Sequence, residues 1–292
     1  MNTTSDINII HSGEPSRSAL RVAILRGAHQ LLDEPVVFED PVALPILGAA
    51  LETQVREDPF QYNDPLSRGL RAALVVRSRA AEDELARAVK AGVKQYVVLG
   101  AGLDTFAYRN IHTPQGLMVY EVDHPSTQVW KQRQLAEASL RVPDSMRFVP
   151  VDFEHDSLAE RLAASGLRMD QPTCFSWLGV TVYLERESVI NTLRFIAGMP
   201  AGSSVTFDYR APPATLNPIE RVIDEYLRRI ITDEGEPWKC HFDPVPFQAE
   251  LNALGFTSIK SWDATDLNAR YLARRKDGLR TGGAFRVMCA GV

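Results

Sequence analysis

Cysteine is scarce in this chain. Cys174, Cys240 and Cys289 are three in number, far apart, and form no CxxC. That argues against a disulfide framework and for a reducing, cytoplasmic setting. Positive charge is also short: 32 Lys and Arg face 37 Asp and Glu, a formal net charge of −5. The chain therefore lacks the basic surplus of a general nucleic-acid binder. No stretch approaches the ~18 uninterrupted apolar residues of a membrane span. The opening MNTTSDINIIHSGEPS has no basic segment leading into an apolar run, so a secretory signal is not expected. No repeat or low-complexity tract is present. These absences point to a soluble intracellular protein without a nucleic-acid or membrane partner, and monomer and homodimer both stay open.

What is present is enough for a sizeable core: 292 residues, of which 45 % are hydrophobic. Residues 1 to about 15 are polar and expected to fray. From there to Lys90 the pattern is helical, with SALRVAILRGAHQLL and LRAALVVRSRAAEDELARAVKAG repeating apolar residues at three- and four-residue spacing. The proline- and acid-rich DEPVVFEDPVALP between them reads as an irregular connection, and Gly92 as the glycine closing the second helix. Beyond Gly92, short apolar runs alternate with helical stretches. Strands are expected at 95–100, 117–123, 147–152, 173–179, 203–209, 257–262 and 284–290, and helices at 124–140, 155–166, 185–198, 217–232 and 244–254. Strands with little alternation, spaced by helices, imply a mainly parallel sheet covered on both faces. The last two are joined by a loop or short helix around Asn268 to Gly278, which predicts an antiparallel strand at the sheet's edge. The expected organisation is a helical extension or lid over 1–92 and an α/β domain over 93–292.

The first strand runs straight into Gly100-Ala101-Gly102. In an open α/β sheet, ligands bind at the carboxyl ends of the strands, and glycine there permits sharp turns and close backbone approach. About 20 residues on, an acid is expected to bind ribose hydroxyls; Glu121 and Asp123 arrive in VYEVDHP, two apart and so on one side of a strand. The nicotinamide version of the motif needs a third glycine where this chain has Thr105, and Asp104 would repel a pyrophosphate. A carboxylate in the loop suits a ligand with positive charge and no phosphate. S-adenosylmethionine, with its ribose, ammonium and sulfonium, is such a ligand.

VVLGAGLDTFAYR, VYEVDHP, RFVPVDFEHDSL, SWLGVTVYL and GEPW…LGF together resemble the leucine carboxyl methyltransferase-like family, and more closely its bacterial S-adenosylmethionine-dependent O-methyltransferase branch. The resemblance runs from PSRSALRVAILRGAH to GLRTGGAFRVM, nearly the whole chain. It implies a class I methyltransferase fold: a Rossmann-like, seven-stranded, mainly parallel sheet with an antiparallel last strand. It also implies that an arginine before the first strand faces the donor's carboxylate. RSR offers Arg77 or Arg79, and the motif favours Arg77. Gly100 and Gly102 would floor the donor, Asp123 would bind its ribose with Glu121 as substitute, and Asp152 and Phe153 would hold the adenine. Many relatives carry glutamate just before the glycine of the fourth-strand motif, where this chain has Leu178; Asp104 or a backbone carbonyl would then balance the donor's ammonium. The neighbouring Trp177 is expected to wall the cofactor or the acceptor.

For the acceptor, the insertion at about 210–250 is where this fold builds its pocket. Tyr183, Arg210, Trp238 and His241 are the candidates, Arg210 because guanidinium binds carboxylates bidentately. A carboxylate acceptor needs no general base near pH 7, whereas a hydroxyl gains from one. No decisive base is visible; His124, beside the ribose acid, reads as structural, and Cys240-His241 has no second ligand pair for a metal. The expected function is methylation of a small-molecule carboxylate or hydroxyl in secondary metabolism. The rival readings are a degenerate donor-binding protein and, against Thr105 and Asp104, a nicotinamide oxidoreductase.

Overall fold

The structure is a computed structural model that describes residues 16–152, 155–233 and 235–292. The polar leader at 1–15 and the adenine candidate Phe153 lie outside the described residues.

All seven expected strands form: β1 (Gln95–Leu99), β2 (Met118–Asp123), β3 (Met146–Pro150), β4 (Cys174–Trp177), β5 (Ser204–Arg210), β6 (Ser258–Trp262) and β7 (Phe285–Gly291). They make one sheet in the order β3-β2-β1-β4-β5-β7-β6. β1 to β5 are parallel and β7 is antiparallel to both neighbours. The expected edge position of β7 is corrected: it lies between β5 and β6, pairing seven residues with β5 and five with β6. Its near-continuous apolar run FRVMCAG fits that interior place, while β6, with its alternating SIKSW, is the edge.

Among the described residues three α-helices precede β1: α1 (Arg17–Leu32), α2 (Ala49–Glu57) and α3 (Pro65–Lys90). α2 was not expected, because DEPVVFEDPVALP masks the nine-residue helix that follows it. α3 starts where Asp64 accepts from the N–H groups of Leu66 and Ser67 with proline in its first turn, and it stops before Gly92, whose φ is +101°. α1 is pinned to α3 by a buried cluster. Arg71 donates from Nε and Nη2 to Asp33 (2.7 and 2.8 Å), and His29 lies 2.7 Å from the same carboxylate. His29 Nε2 accepts from the N–H groups of Val37 and Phe38, so Nδ1 carries the proton that Asp33 receives.

The remaining helices are α4 (Pro125–Glu137), α5 (Leu158–Ala164), α6 (Arg186–Ala197), α7 (Pro218–Asp233), α8 (Pro244–Leu254) and α9 (Ala264–Tyr271). Strand alternation sorts the core. Val97, Leu99, Phe175, Trp177, Phe207 and Tyr209 join the cluster that includes α6 and α8 residues. Tyr96, Val98 and Val119 face the other way, toward Leu85 of α3. Among the described residues no helix is long and apolar enough to cross a membrane.

Candidate functional site

Strand order reverses between β1 and β4, so their carboxyl ends diverge and leave a crevice there. A cavity of about 990 Å³ opens at that point, roofed by α1, α3 and α7.

The glycine loop forms its floor. Gly100 has φ +66°, and a Cβ there would meet Val180 Cγ2 at 2.3 Å, so any side chain would be strained and would have to displace Val180. Gly102, at φ +45°, donates its N–H to Asp123 Oδ2 at 2.6 Å, while the His124 N–H donates to Asp123 Oδ1 at 2.7 Å. The ribose candidate is thus fixed by the loop it would serve with. Burial raises its carboxyl above the usual range, and those two N–H bonds oppose the rise. The loop does not open an α-helix: only the short 3-10 turn Phe106–Arg109 follows, oriented by Asp104, which accepts from the Phe106 N–H at 2.8 Å. A dinucleotide's pyrophosphate would find no helix N-terminus there. Thr105, where a nicotinamide loop needs glycine, is buried and bonded to Asp40.

Asp152 and Asp104 line the cavity, as does His124, whose ring caps the first turn of α4 by accepting from the Ser126 N–H. Glu121 does not. It is fully buried behind the loop, 2.6 Å from Lys131 Nζ, which in turn lies 5.4 Å from the Tyr108 ring centroid. Burial pushes the Glu121 carboxyl up to about 7 despite the lysine, and its Oε1 has no hydrogen-bond partner among the described residues.

Arg77 reaches the cavity, and Arg79 instead pairs with Asp83 on the exposed side of α3. Alternation along β5 explains what Arg77 meets. Phe207 and Tyr209 enter the opposite core, so Thr206, Asp208 and Arg210 face α3. Arg77 Nη1 donates to Asp208 Oδ2 at 2.8 Å, and Asp208 Oδ1 accepts from the Gly179 N–H. Gly179, at φ +73°, lies flat against the guanidinium; a Cβ would come within 2.6 Å of Arg77 Nη2. Asp208 was missed from the sequence, although its place two residues before Arg210 on one strand face was available. Leu178 lines the cavity as an apolar residue, and Asp208 sets a carboxylate beside it from the next strand.

Two expectations are corrected. Trp177 does not wall the cavity: alternation points Ser176 and Leu178 inward and leaves Trp177 1 % exposed among Phe207 and its neighbours. His241 is exposed and away from the cavity. The N–H groups of Lys239 and Cys240 donate to Val182 O, and that of Phe242 to Arg210 O. Cys240 and Phe242 of this extended segment point into the core, so His241 points out.

Tyr183, Arg210 and Trp238 are brought together on the cavity wall. Arg210 stacks on Trp238, 3.9 Å from the ring centroid, and its Nη2 pairs with Asp224 of α7, which also accepts from Arg228 at 3.2 Å. Asp224 is thus one carboxylate shared by two guanidinium groups, and Arg210 Nε has no hydrogen-bond partner among the described residues. Glu236 closes the roof, accepting from Ser16 Oγ at 2.9 Å and from the Ser18 N–H at 3.0 Å. No group of His, Cys, Asp and Glu able to hold a metal occurs among the described residues.

Strand order, antiparallel seventh strand and crevice loop define the class I methyltransferase fold. The comparisons agree. The family model "Leucine carboxyl methyltransferase" matches residues 19–197. The chain is 30% identical over 298 residues to "Putative S-adenosyl-L-methionine-dependent methyltransferase YktD" of Bacillus subtilis, covering 92% of this chain and 95% of that one. A Mycobacterium marinum relative of the same description is 33% identical, covering 74% and 72%. A Thermobifida fusca structure described as "a putative methyltransferase" superposes with TM-score 0.59 at 15% identity over 97% of each chain. A duf574 family protein from Streptomyces avermitilis gives 0.52 at 16% identity, covering 96% and 98%. The chain belongs to the leucine carboxyl methyltransferase family, and it is a methyltransferase.

Proposed function

We propose that this protein is an S-adenosylmethionine-dependent O-methyltransferase acting on a small-molecule carboxylate or hydroxyl. The observation that carries the reading is the crevice floor. There a glycine loop is bonded to the strand-end Asp123, carries a carboxylate of its own, and leads into no helix that would favour phosphate. Relatives described as dependent on S-adenosyl-L-methionine span nearly the whole chain.

The residues fit that donor. Asp123 would accept from ribose hydroxyls with the lone pairs that Gly102 and His124 leave free. Asp152 would face the adenine. Arg77 would face the donor carboxylate, with Asp208 and Asp104 balancing the ammonium in place of the glutamate that Leu178 replaces. Bound there, the donor supplies an electrophilic methyl group on a sulfonium. The protein's share is then positioning and electrostatics in a crevice closed by α1 and α7. Among the described residues the acceptor side offers the Tyr183–Trp238–Arg210 wall and no histidine.

The test is transfer of labelled methyl from S-adenosylmethionine to a panel of small carboxylic acids, phenols and alcohols. Release of labelled methanol on mild alkaline treatment marks an ester, and alkali-stable label marks an ether. Donor binding with no transfer to any member would favour the degenerate reading instead.

A further inference from the structure

α7 is docked the wrong way round for an ordinary surface helix. Of its sixteen residues only Asp224 and Ile231 are buried. Four large apolar side chains at Ile219, Val222, Ile223 and Tyr226 are 46–74 % exposed. Their spacing of three, four and seven puts them on one face. What holds the helix is its acid: Asp224 is buried against Arg210 and Arg228. Among the described residues, a helix anchored by an ion pair leaves its apolar stripe uncovered, and contiguous exposed apolar surface marks a binding face. Three of the four, Val222, Ile223 and Tyr226, line the cavity itself, so the stripe is the outward continuation of the acceptor wall. The cavity's volume of about 990 Å³ is at the upper end for small-molecule sites, about 300–1,000 Å³. That is room for an acceptor beside a donor.

We infer that the methyl acceptor is a lipophilic molecule with an extended hydrocarbon part, its oxygen nucleophile inside the crevice and its chain laid along Ile219, Val222, Ile223 and Tyr226. The inference rests on the methyltransferase reading of the crevice and names its acceptor class. From Ile219 to Tyr226 the stripe runs about 10 Å along the helix, the length of roughly eight carbons. The occupant is a small molecule because the inner part of the stripe lines a concave wall, into which a flat partner surface would not reach. Between Ile219 and Tyr226 the stripe itself is apolar, Arg221 and Glu225 projecting off its face; its charged borders are Glu220, which lines the cavity beside it, and Arg229, whose guanidinium lies 5.5 Å from the Tyr226 ring centroid and caps its far end.

The experiment titrates the full chain with straight-chain carboxylates from hexanoate to dodecanoate, with and without saturating S-adenosylhomocysteine. Affinity should rise at least twofold per added methylene, against about fourfold for full burial. Ile219→Glu/Val222→Glu should weaken dodecanoate at least tenfold and hexanoate less than twofold, with S-adenosylmethionine affinity unchanged. Ile219 and Val222 are exposed, so the variant folds, and circular dichroism checks this. An affinity independent of chain length, or the same slope in the variant, would overturn the inference. So would a wild-type dimer that the variant dissociates with no chain-length slope, because the stripe would then be a subunit contact. Failure of the methyltransferase reading shows separately, as loss of S-adenosylmethionine and S-adenosylhomocysteine binding with the chain-length slope intact.

Discussion

Gly100→Ala tests the crevice floor at one atom. The change asks an L-residue to hold φ +66°, which costs about 1–2 kcal/mol in the left-handed region. It also drives a Cβ to 2.3 Å from Val180 Cγ2, and overpacking of that kind costs about 1–3 kcal/mol. The sum is about 2–5 kcal/mol, and the two parts are separable because only the second depends on Val180. In a double-mutant cycle, Val180→Ala should return the steric part and leave the conformational part in place. The expected coupling is therefore about 1–3 kcal/mol in favour of the double variant. Urea unfolding followed by tryptophan fluorescence reads it. Strictly additive losses would mean that the loop and Val180 do not touch, and would refute a crevice floor packed against Val180.

Removing one partner of the Arg77–Asp208 pair should be costly. Asp208→Ala strands a guanidinium only 9 % exposed and the Gly179 N–H, a loss of about 3–5 kcal/mol. Arg77→Met/Asp208→Leu should recover most of it, and a single variant within 1 kcal/mol of wild type in denaturant would show the pair to be exposed. Arg77→Ala should weaken S-adenosylmethionine but hardly adenosine, which lacks the carboxylate; equal losses in parallel titrations would assign Arg77 a structural role only. Glu121 supplies a pH signature. With its carboxyl at about 7 in the folded chain against 4.5 when exposed, the folded state holds a proton that the unfolded state releases. That stability is fully present below pH 4.5 and lost as pH rises to about 7, up to about 3 kcal/mol. Glu121→Gln should flatten this part of the stability profile, and an unchanged slope would place the titration elsewhere.

Much of this fold was legible because its signals are local. Seven apolar runs spaced by helical stretches gave the strands, and the motifs gave the crevice loop with Asp123. What escaped depended on neighbours in space. The interior place of β7 follows from which strand it joins, which no local pattern encodes. Glu121 and Asp123 share a strand face, yet only the second stands at the strand's open end; the first meets Lys131 from α4. Trp177 and His241 were misplaced for one reason. Residue type beside a motif suggests a pocket role for each, whereas the alternation of its own segment sends the side chain the other way. The same alternation, applied to SVTFDYR, would have paired Asp208 with Arg210 and exposed the carboxylate that Leu178 lacks.

The central claim is that the crevice between β1 and β4 binds a methyl donor through Asp123. Isothermal titration of the ligand-stripped protein with S-adenosylmethionine, beside NADH and NADPH, tests it most directly when wild type and Asp123→Ala are compared. The account predicts micromolar binding of the methyl donor alone, weakened at least tenfold, or about 1.4 kcal/mol, in the folded variant. Binding of a nicotinamide nucleotide, or a donor affinity that Asp123→Ala leaves unchanged, would contradict it.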